Sequence, residues 1–443
     1  MSDGSKSKID RLFSEYGMLG ILALLCILFS LLTIREQHPT GSVAAKKIVV
    51  QMQGHNLPAN ILIVTQQNEQ DRSFAQNLES GLDVSGRIII LQGGPSEIRS
   101  VLEGLPDSLL SDAAIMTTES YAPTIRSIIS QFPTLATAAV ITPPSYRWPT
   151  FLLSDNLRNV ANQIAVIAII AIGMTMVIIT AGIDLSVGSL IALSAVITAW
   201  LVGFMGGANA SLSGMFFAGL LAVILCGLTG AFSGLMITRF QIPPFIATLA
   251  IMQVAAGVAY IISQGKPIYQ LPDSFIGLGR GAEPLLKIPY AVILMILLYL
   301  LAHFLMSRTT LGRYIYAVGG NPEAARLAGI RVKGVLVFVY TLCGLLAGFG
   351  GVIMASQLKS GAPTYGLTYE LYVIAAVVVG GTSLSGGEGR IFGTLIGAFV
   401  IAVIQNGMNL TNVETYTQKV VLGLVILVAV LLDRLKQRRM ARG

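Results

Sequence analysis

Residues 173–196 read GMTMVIITAGIDLSVGSLIALSAV. A single carboxylate, Asp184, stands between two long apolar runs, with Gly182 and Gly188 on either side and Ser186 and Ser189 close by. An ionised side chain is costly in hydrocarbon, so within a spanning segment it faces protein or a water-filled cavity. The stretch therefore describes an apolar helix, an interruption and a second apolar helix. At the interruption the Asp184 carboxylate has two uses. It can accept from free N–H groups around Ser186 and Val187 and cap the helix that follows, or it can meet a polar solute, and the two are compatible. Non-helical backbone at membrane depth is tolerated where it is enclosed by protein or lines a cavity. Asp184 and Ser186 are thus candidate lining of a pathway or gate.

The rest of the chain supports a membrane setting. Of 443 residues, 54% are hydrophobic and only 12% charged, against about 25% charged in soluble domains. So little charge cannot cover a water-exposed surface, and much of the surface must face lipid. The 47 glycines fit closely packed membrane helices. After an apolar stretch near 18–34, runs of spanning length lie near 160–181, 187–205, 214–237, 244–263, 289–307, 334–356, 370–381, 391–406 and 417–432. They predict about ten spans, of which 370–381 is short for a full crossing. The first stretch follows Lys6, Lys8 and Arg11 and has no small-residue cleavage site after it, so it reads as a retained span rather than a leader. Cys26, Cys226 and Cys343 each lie in an apolar run, at spacings that suggest neither metal nor disulfide.

Lys and Arg placement predicts orientation. Basic residues gather at the N-terminus, at 308–333 (Arg308, Arg313, Arg326, Arg331, Lys333) and at 434–443 (Arg434, Lys436, Arg438, Arg439, Arg442), with Arg239 and Arg390 in other turns. A cytoplasmic start and about ten spans put all of them, and both termini, on the cytoplasmic side. The same count places 41–150, 264–288 and 357–369 outside.

Residues 41–150 differ in composition from their flanks. NILIVTQ, RIIILQG, AAIMTT and AAVITPP alternate with segments of helical spacing, the pattern of βαβ units around a small parallel sheet. The expected organisation is a first span in 1–40, a small extracytoplasmic α/β insert at 41–150, an all-α polytopic membrane body at 151–433 and a basic tail at 434–443. No glycine-rich phosphate fingerprint follows a strand in the insert.

Three further places carry candidate function. In the loop 308–333, Asn321 suits an N-cap, Pro322 the first helical position, Glu323 the positive helix end and Gly329 a stop. They predict a helix of about two turns outside the membrane, with a small-residue side that is either a knob for a partner's groove or an amphipathic interface helix. Glu370 stands at the edge of an apolar run, placed to meet a polar solute or to snorkel to water. Asn406 and Asn409 either line the pathway or cap the end of their span.

One motif misleads. Leu384-Ser385-Gly386-Gly387-Glu388 looks like the signature loop of ABC-type ATPases. Such ATPases also need a G-x-x-x-x-G-K-[ST] loop to cradle phosphates, and the chain's only Gly-Lys pair, Gly265-Lys266, runs into Pro267. The stretch reads as a tight turn between spans. Apart from Asp184, Glu370, His303 and Lys419, the apolar runs hold no ionisable residues. Proton-driven carriers usually need them, so energy is expected to enter from elsewhere.

GMTMVIITAGIDLSVGSLIALSAV, TTLGRYIYAVGGNPEAARLAGI, YTLCGLLAGFGGVI and YELYVIAAVVVGGTSLSGGEGRIFGTLIGAFVIAVIQNGMNL together resemble the permease subunits of bacterial ribose-type monosaccharide ABC importers, in order over 151–436. The resemblance implies an inner-membrane homodimer that is not itself an enzyme. Cytoplasmic ABC ATPase subunits, using ATP and Mg, and a periplasmic sugar-binding protein would complete it. Asn321–Ala328 would be the coupling helix, with Glu323 and Arg326 at the ATPase, and the segment around Asp184 would shape the path. No cofactor, metal or nucleic acid is expected on this chain. The insert departs from the family, in which the first span passes almost directly to LLSDNLRNVANQ-like sequence. It would dock the binding protein, capture solute, or cap the structure without a ligand. Nucleosides or branched-chain amino acids are alternative cargoes. A secondary carrier and a membrane solute sensor are alternative functions, separable by dependence on a partner ATPase.

Overall fold

The computed structural model describes residues 3–53, 58, 60–82, 86–111, 113–269 and 271–440. The side chains of 3–16, 432, 433 and 435–440 lie outside the described residues, and with them the basic groups of Lys6, Lys8, Arg11, Lys436, Arg438 and Arg439; so does Arg442. The chain divides into two units, one of residues 1–33 with 151–443 and one of residues 34–150.

In chain order the elements are α1 (Asp3–Leu32), β1 (Ile34–Gln37), α2 (Gly41–Met52), β2 (Asn60–Thr65), α3 (Glu69–Gly81), β3 (Arg87–Gln92), α4 (Pro95–Gly104), α5 (Asp107–Leu110), β4 (Ala113–Thr117), α6 (Ala122–Ile129), β5 (Val140–Ile141) and β6 (Tyr146–Pro149). They continue with α7 (Ser154–Ile179), α8 (Val187–Phe204), α9 (Leu212–Phe240), α10 (Pro244–Ser263), α11 (Ile276–Arg280), α12 (Tyr290–Arg308), α13 (Thr310–Gly320), α14 (Pro322–Leu327), α15 (Val332–Leu358), α16 (Tyr369–Val379), α17 (Ile391–Leu410) and α18 (Thr415–Met440).

Unit 34–150 is a parallel sheet of order β3-β2-β4-β5, covered on both faces. Side chains alternate across a strand. Ile61, Ile63 and Met116 therefore pack with Ala44, Ile48, Phe74 and Leu78 of α2 and α3. Leu62, Val64 and Ile115 point the other way, to Ile98, Leu102, Ile125 and Ile128 of α4 and α6. Burial on both faces is why the strands read as unbroken apolar runs. Asn68 caps α3 by accepting from the Asp71 amide at 2.8 Å. The unit begins seven residues before the boundary expected from composition (34 rather than 41) because Ile34–Gln37, polar to the eye, pairs antiparallel with Tyr146–Pro149.

The other unit is helical. Among the described residues, α7, α8, α9, α10, α12, α15 and α17 are the seven helices long and apolar enough to cross a membrane, and Gly17–Leu32, α16 and Thr415–Leu431 are shorter apolar helices. α7 is the most enclosed of the seven. α9, α10 and α12 leave Phe216, Phe232, Val254, Leu300 and Phe304 exposed, as a surface solvated by lipid requires. Between apolar helices in lipid there is little hydrophobic drive, so close packing and hydrogen bonds hold them. α15 lies on α9 through facing glycines: a Cβ on Gly234 would come within 2.8 Å of the Val337 Cα, and one on Gly348 within 2.8 Å of the Cys226 Cβ. Thr175 and Thr394 share a hydroxyl bond of 2.7 Å between α7 and α17, Ser194 donates to the Gly348 carbonyl at 2.6 Å, and Tyr299 donates to the Ala168 carbonyl at 2.9 Å.

Candidate functional site

The break expected in residues 173–196 is present. α7 ends at Ile179, α8 starts at Val187, and 180–186 is a turn and extended chain. Asp184 is fully buried. Its Oδ1 accepts from the Ser186 amide at 2.9 Å and the Ser186 hydroxyl at 2.6 Å. Ser186, not Asp184, occupies the N-cap position of α8, so the carboxylate closes a turn one step ahead of the helix instead of reaching Val187. Thr248 of α10 clamps the same segment. Its hydroxyl accepts from the Leu185 amide at 3.1 Å and donates to the Pro244 carbonyl at 3.0 Å.

Asp184 faces α15, with the Cys343 thiol beside its carboxylate. The Tyr340 hydroxyl of the same helix is buried with no hydrogen-bond partner among the described residues and lies against Gly182, where a Cβ would collide with it. Tyr340 and Cys343 stand about 12 and 16 Å along a helix about 40 Å long. The interruption is therefore deep in the helical body, where an irregular backbone is costly unless enclosed or lining a path.

A second interruption packs along α8, reaching its first turn. α15 stops at Leu358 and α16 starts at Tyr369, and the intervening chain turns back beside α8. A Cβ on Gly361 would collide with the Ala195 carbonyl, and one on Gly366 with the Gly188 carbonyl. Glu370 in the first turn of α16 rests against Gly188 in the first turn of α8, where a Cβ would collide with its Oε2 and approach the Gly366 carbonyl to 2.6 Å. Glu370 is half-buried. The first turns of α8 and α16 and the unwound segment before α16 thus meet at Gly188, Gly366 and Glu370, just along the chain from Asp184 and Ser186. This explains the short 370–381 run: part of that passage is not helical.

Asn406 is engaged elsewhere. Its amide and that of Asn156 bond each other in both directions, at 3.0 and 2.8 Å, and Asn156 also donates to the Phe151 carbonyl at 2.8 Å. The pair ties α17 to the start of α7. Asn409 accepts from Gln418 at 2.8 Å.

At the other end of α15 lies the short helix expected in 308–333. Asn321 accepts from the Ala324 amide at 3.0 Å, Pro322 opens α14, and Glu323 pairs with Arg326 at 2.7 Å. Both charges remain exposed, at 73% and 69%. Gly329 at φ +83° ends the helix, and the Ile330 amide returns to the Ala325 carbonyl at 3.0 Å, a left-handed helix stop. Leu327 is 84% exposed, an apolar side chain with no cover. Sequence reasoning missed α13, the helix immediately before it, capped by Thr309 accepting from the Gly312 amide at 3.2 Å. Ile315 and Val318 anchor α13 in the body. Its signal was the Thr309 cap ahead of the periodic LGRYIYAV. The partners Asn156, Thr248, Tyr340 and Cys343 were missed too. Each is a polar residue in an apolar helix, but nothing local says what it faces.

Comparison with known proteins gives this geometry a family. The model of the family described as "Branched-chain amino acid transport system / permease component" matches residues 156–430. The chain is similar to the ribose import permease protein RbsC of Escherichia coli (strain K12), 44% identical over 293 residues that cover 65% of this chain and 88% of the relative. It is similar to the protein of the same name in Bacillus subtilis (strain 168), 46% identical over 290 residues, 65% of this chain and 87% of the relative. To the D-allose transport system permease protein AlsC of Escherichia coli (strain K12) it is 38% identical over 285 residues, 64% and 85% of the two chains. No solved structure matches. The chain belongs to the permease family of ribose-type sugar ABC importers.

Proposed function

We propose that this chain is the transmembrane subunit through which an ATP-driven importer moves a monosaccharide across the inner membrane. The observation that carries the reading is that the helix break holding Asp184 and Ser186 leads straight into Gly188, against which the second unwound segment and Glu370 pack, inside a body of apolar helices. A sugar presents many hydroxyls, each of which must exchange water for protein partners. Carboxylates, a serine and free backbone groups supply them where the helices break. Asn406 enters as part of the wall, holding α17 to α7 through Asn156. Relatives named for ribose, allose and arabinose support a monosaccharide cargo.

In this reading α1, α16 and α18 also cross, giving about ten spans with both termini cytoplasmic. Two copies form the path. Cytoplasmic ATPases, using ATP and Mg, seat α14 with Glu323 and Arg326 at the contact and Asn321, Pro322 and Gly329 shaping the helix. A periplasmic sugar-binding protein delivers cargo, and unit 34–150 lies on its side of the membrane, docking it or holding solute. Nucleotide-driven closure of the ATPases moves α14, and the packed helices switch between discrete arrangements open to one side or the other.

The test is reconstitution of the chain with its partner ATPase and binding protein in proteoliposomes. ATP-dependent uptake of radiolabelled ribose, allose or arabinose is the expected result. Uptake without ATP, driven by an ion gradient, would overturn it. The description of the matching family favours branched-chain amino acids as a second reading. Leucine, and a nucleoside as a further alternative, belong in the same assay. Deleting residues 41–150 lowers uptake if the insert docks the binding protein, and leaves uptake and binding-protein affinity unchanged if it does not.

A further inference from the structure

The misleading motif has a definite place. Residues 380–390 form the turn between α16 and α17, and the Gly387 amide donates to the Ile179 carbonyl at 2.8 Å. Ile179 is the last residue of α7, immediately before the unwound segment that carries Asp184. The same point is the end of α13. A Cβ on Gly319 would collide with the Ile179 carbonyl and lie 2.8 Å from the Gly387 nitrogen. A Cβ on Gly386 would lie 2.8 Å from the Gly319 carbonyl and 2.9 Å from the Ala181 Cβ. Gly386 and Gly387 have φ of +82° and +77°, which side-chain-bearing residues adopt only with strain. Tyr316, one turn back on α13, donates to the Gly389 carbonyl at 2.7 Å.

We propose that Gly319, Tyr316 and the 386–389 turn are the joint through which movement of α13–α14 is passed to the unwound 180–186 segment. This rests on the permease reading above. Gly319 is separated from Asn321, the cap of α14, by Gly320 alone. Backbone meets backbone at the joint, so no flexible side chain takes up a displacement of the lever. Close-packed interiors transmit strain and do not absorb it. The far end of 180–186 is held by Thr248 and by the Asp184–Ser186 turn. A push on Ile179 therefore changes the conformation between two fixed points, at the place where Asp184 and Glu370 meet the proposed path. The contacts are a continuous physical chain between lever and path, and coupling across them is what has to be measured.

The experiment compares wild type, Gly319→Ala, Tyr316→Phe and Gly320→Ala in proteoliposomes with the partner ATPase and binding protein, measuring sugar taken up per ATP hydrolysed. Gly320→Ala is the control, because a Cβ there meets nothing within 4 Å. Tyr316→Phe removes one hydroxyl and keeps the ring, so it serves if Gly319→Ala fails to fold. The expected result is hydrolysis within twofold of wild type in each assembled complex. Uptake per ATP falls at least tenfold for Gly319→Ala and at least threefold for Tyr316→Phe, and is unchanged for Gly320→Ala. Hydrogen exchange on the purified chain reads the joint without any partner, with faster exchange at 180–186 in Tyr316→Phe but not in Gly320→Ala. Wild-type exchange at 180–186 in Tyr316→Phe, or wild-type uptake per ATP in both joint variants, overturns the proposal. A chain that assembles with no ATPase counts against the permease reading instead, and the exchange result still decides the joint.

Discussion

Asn156 and Asn406, far apart in the chain, bond each other's amides in both directions at 3.0 and 2.8 Å. A reciprocal amide pair satisfies a donor and an acceptor on each side at once. Truncating either partner strands the other in a partly buried site, at a cost of about 1–3 kcal/mol. Asn406→Ala and Asn156→Ala should each lower the melting temperature of the detergent-solubilised protein, Asn156→Ala by more, because it also loses the bond to the Phe151 carbonyl. The double variant should cost less than the sum. An additive pair of changes would show that the bond contributes nothing.

Asp184 has a structural task and a proposed transport task, and two substitutions separate them. Asp184→Ala leaves the Ser186 amide and hydroxyl without their acceptor and should destabilise by about 1–3 kcal/mol. Asp184→Asn keeps an oxygen for Ser186 and should stay near wild-type stability while sugar uptake falls at least tenfold. Wild-type uptake in Asp184→Asn would leave the carboxylate a turn former only.

Gly188 carries the approach of Glu370 to α8. Gly188→Ala should displace both the Glu370 carboxylate and the Gly366 backbone, and reduce uptake about tenfold in protein that still inserts and purifies, while Glu370→Gln should reduce uptake without the backbone shift. Gly257→Ala in α10, where a Cβ meets nothing within 4 Å, should be neutral or stabilising by about 0.5–1 kcal/mol, with uptake unchanged. Equal effects at the two positions would remove Glu370 from the path.

The Glu323–Arg326 pair is exposed on both sides. Exposed pairs contribute only about 0–1 kcal/mol, so Glu323→Ala and Arg326→Ala should leave thermal stability within about 0.5 kcal/mol. If α14 seats an ATPase, each should sharply reduce co-purification of that partner and crosslinking from position 327. Retained co-purification would place the contact elsewhere.

In unit 34–150, Tyr121 is buried and donates to the Gly93 carbonyl at 2.9 Å. Burial, with the nearby carboxylates of Glu97 and Asp71, raises its phenol above the ordinary value of 10.0. The folded state thus keeps a proton that the unfolded chain loses above that pH. The sign follows: the Tyr121 contribution is fully present below about pH 10 and declines as pH rises past it. Corrected for the intrinsic exchange rate at each pH, the protection of amides in peptides from 87–130 of the full chain should fall above pH 10 in wild type. The dependence should be flatter in Tyr121→Phe.

Much of the helical body was legible because its signals are local. Apolar runs of spanning length are the helices α7, α8, α9, α10, α12, α15 and α17, since a helix satisfies its own backbone and needs no distant partner. Asn321, Pro322 and Gly329 mark the bounds of α14 for the same reason: caps and left-handed stops act within a few residues. The Asp184–Ser186 turn spans two positions and was readable in outline. β1 was not, because Ile34–Gln37 is a strand only by virtue of Tyr146–Pro149.

The amino-acid sequence by itself determined a lipid-embedded helical chain interrupted at Asp184, with a short capped helix in its longest basic loop, since composition, periodicity and capping are properties of neighbouring residues. Only the tertiary structure decided that the chain before α16 and Glu370 pack on Gly188 at the start of α8, that Asn406 belongs to Asn156, and that a glycine turn resembling a nucleotide motif is wedged between the end of α13 and the end of α7. Those relationships join residues separated by tens to hundreds of positions. Which of them touch is set by how the helices pack, not by any local preference of the chain.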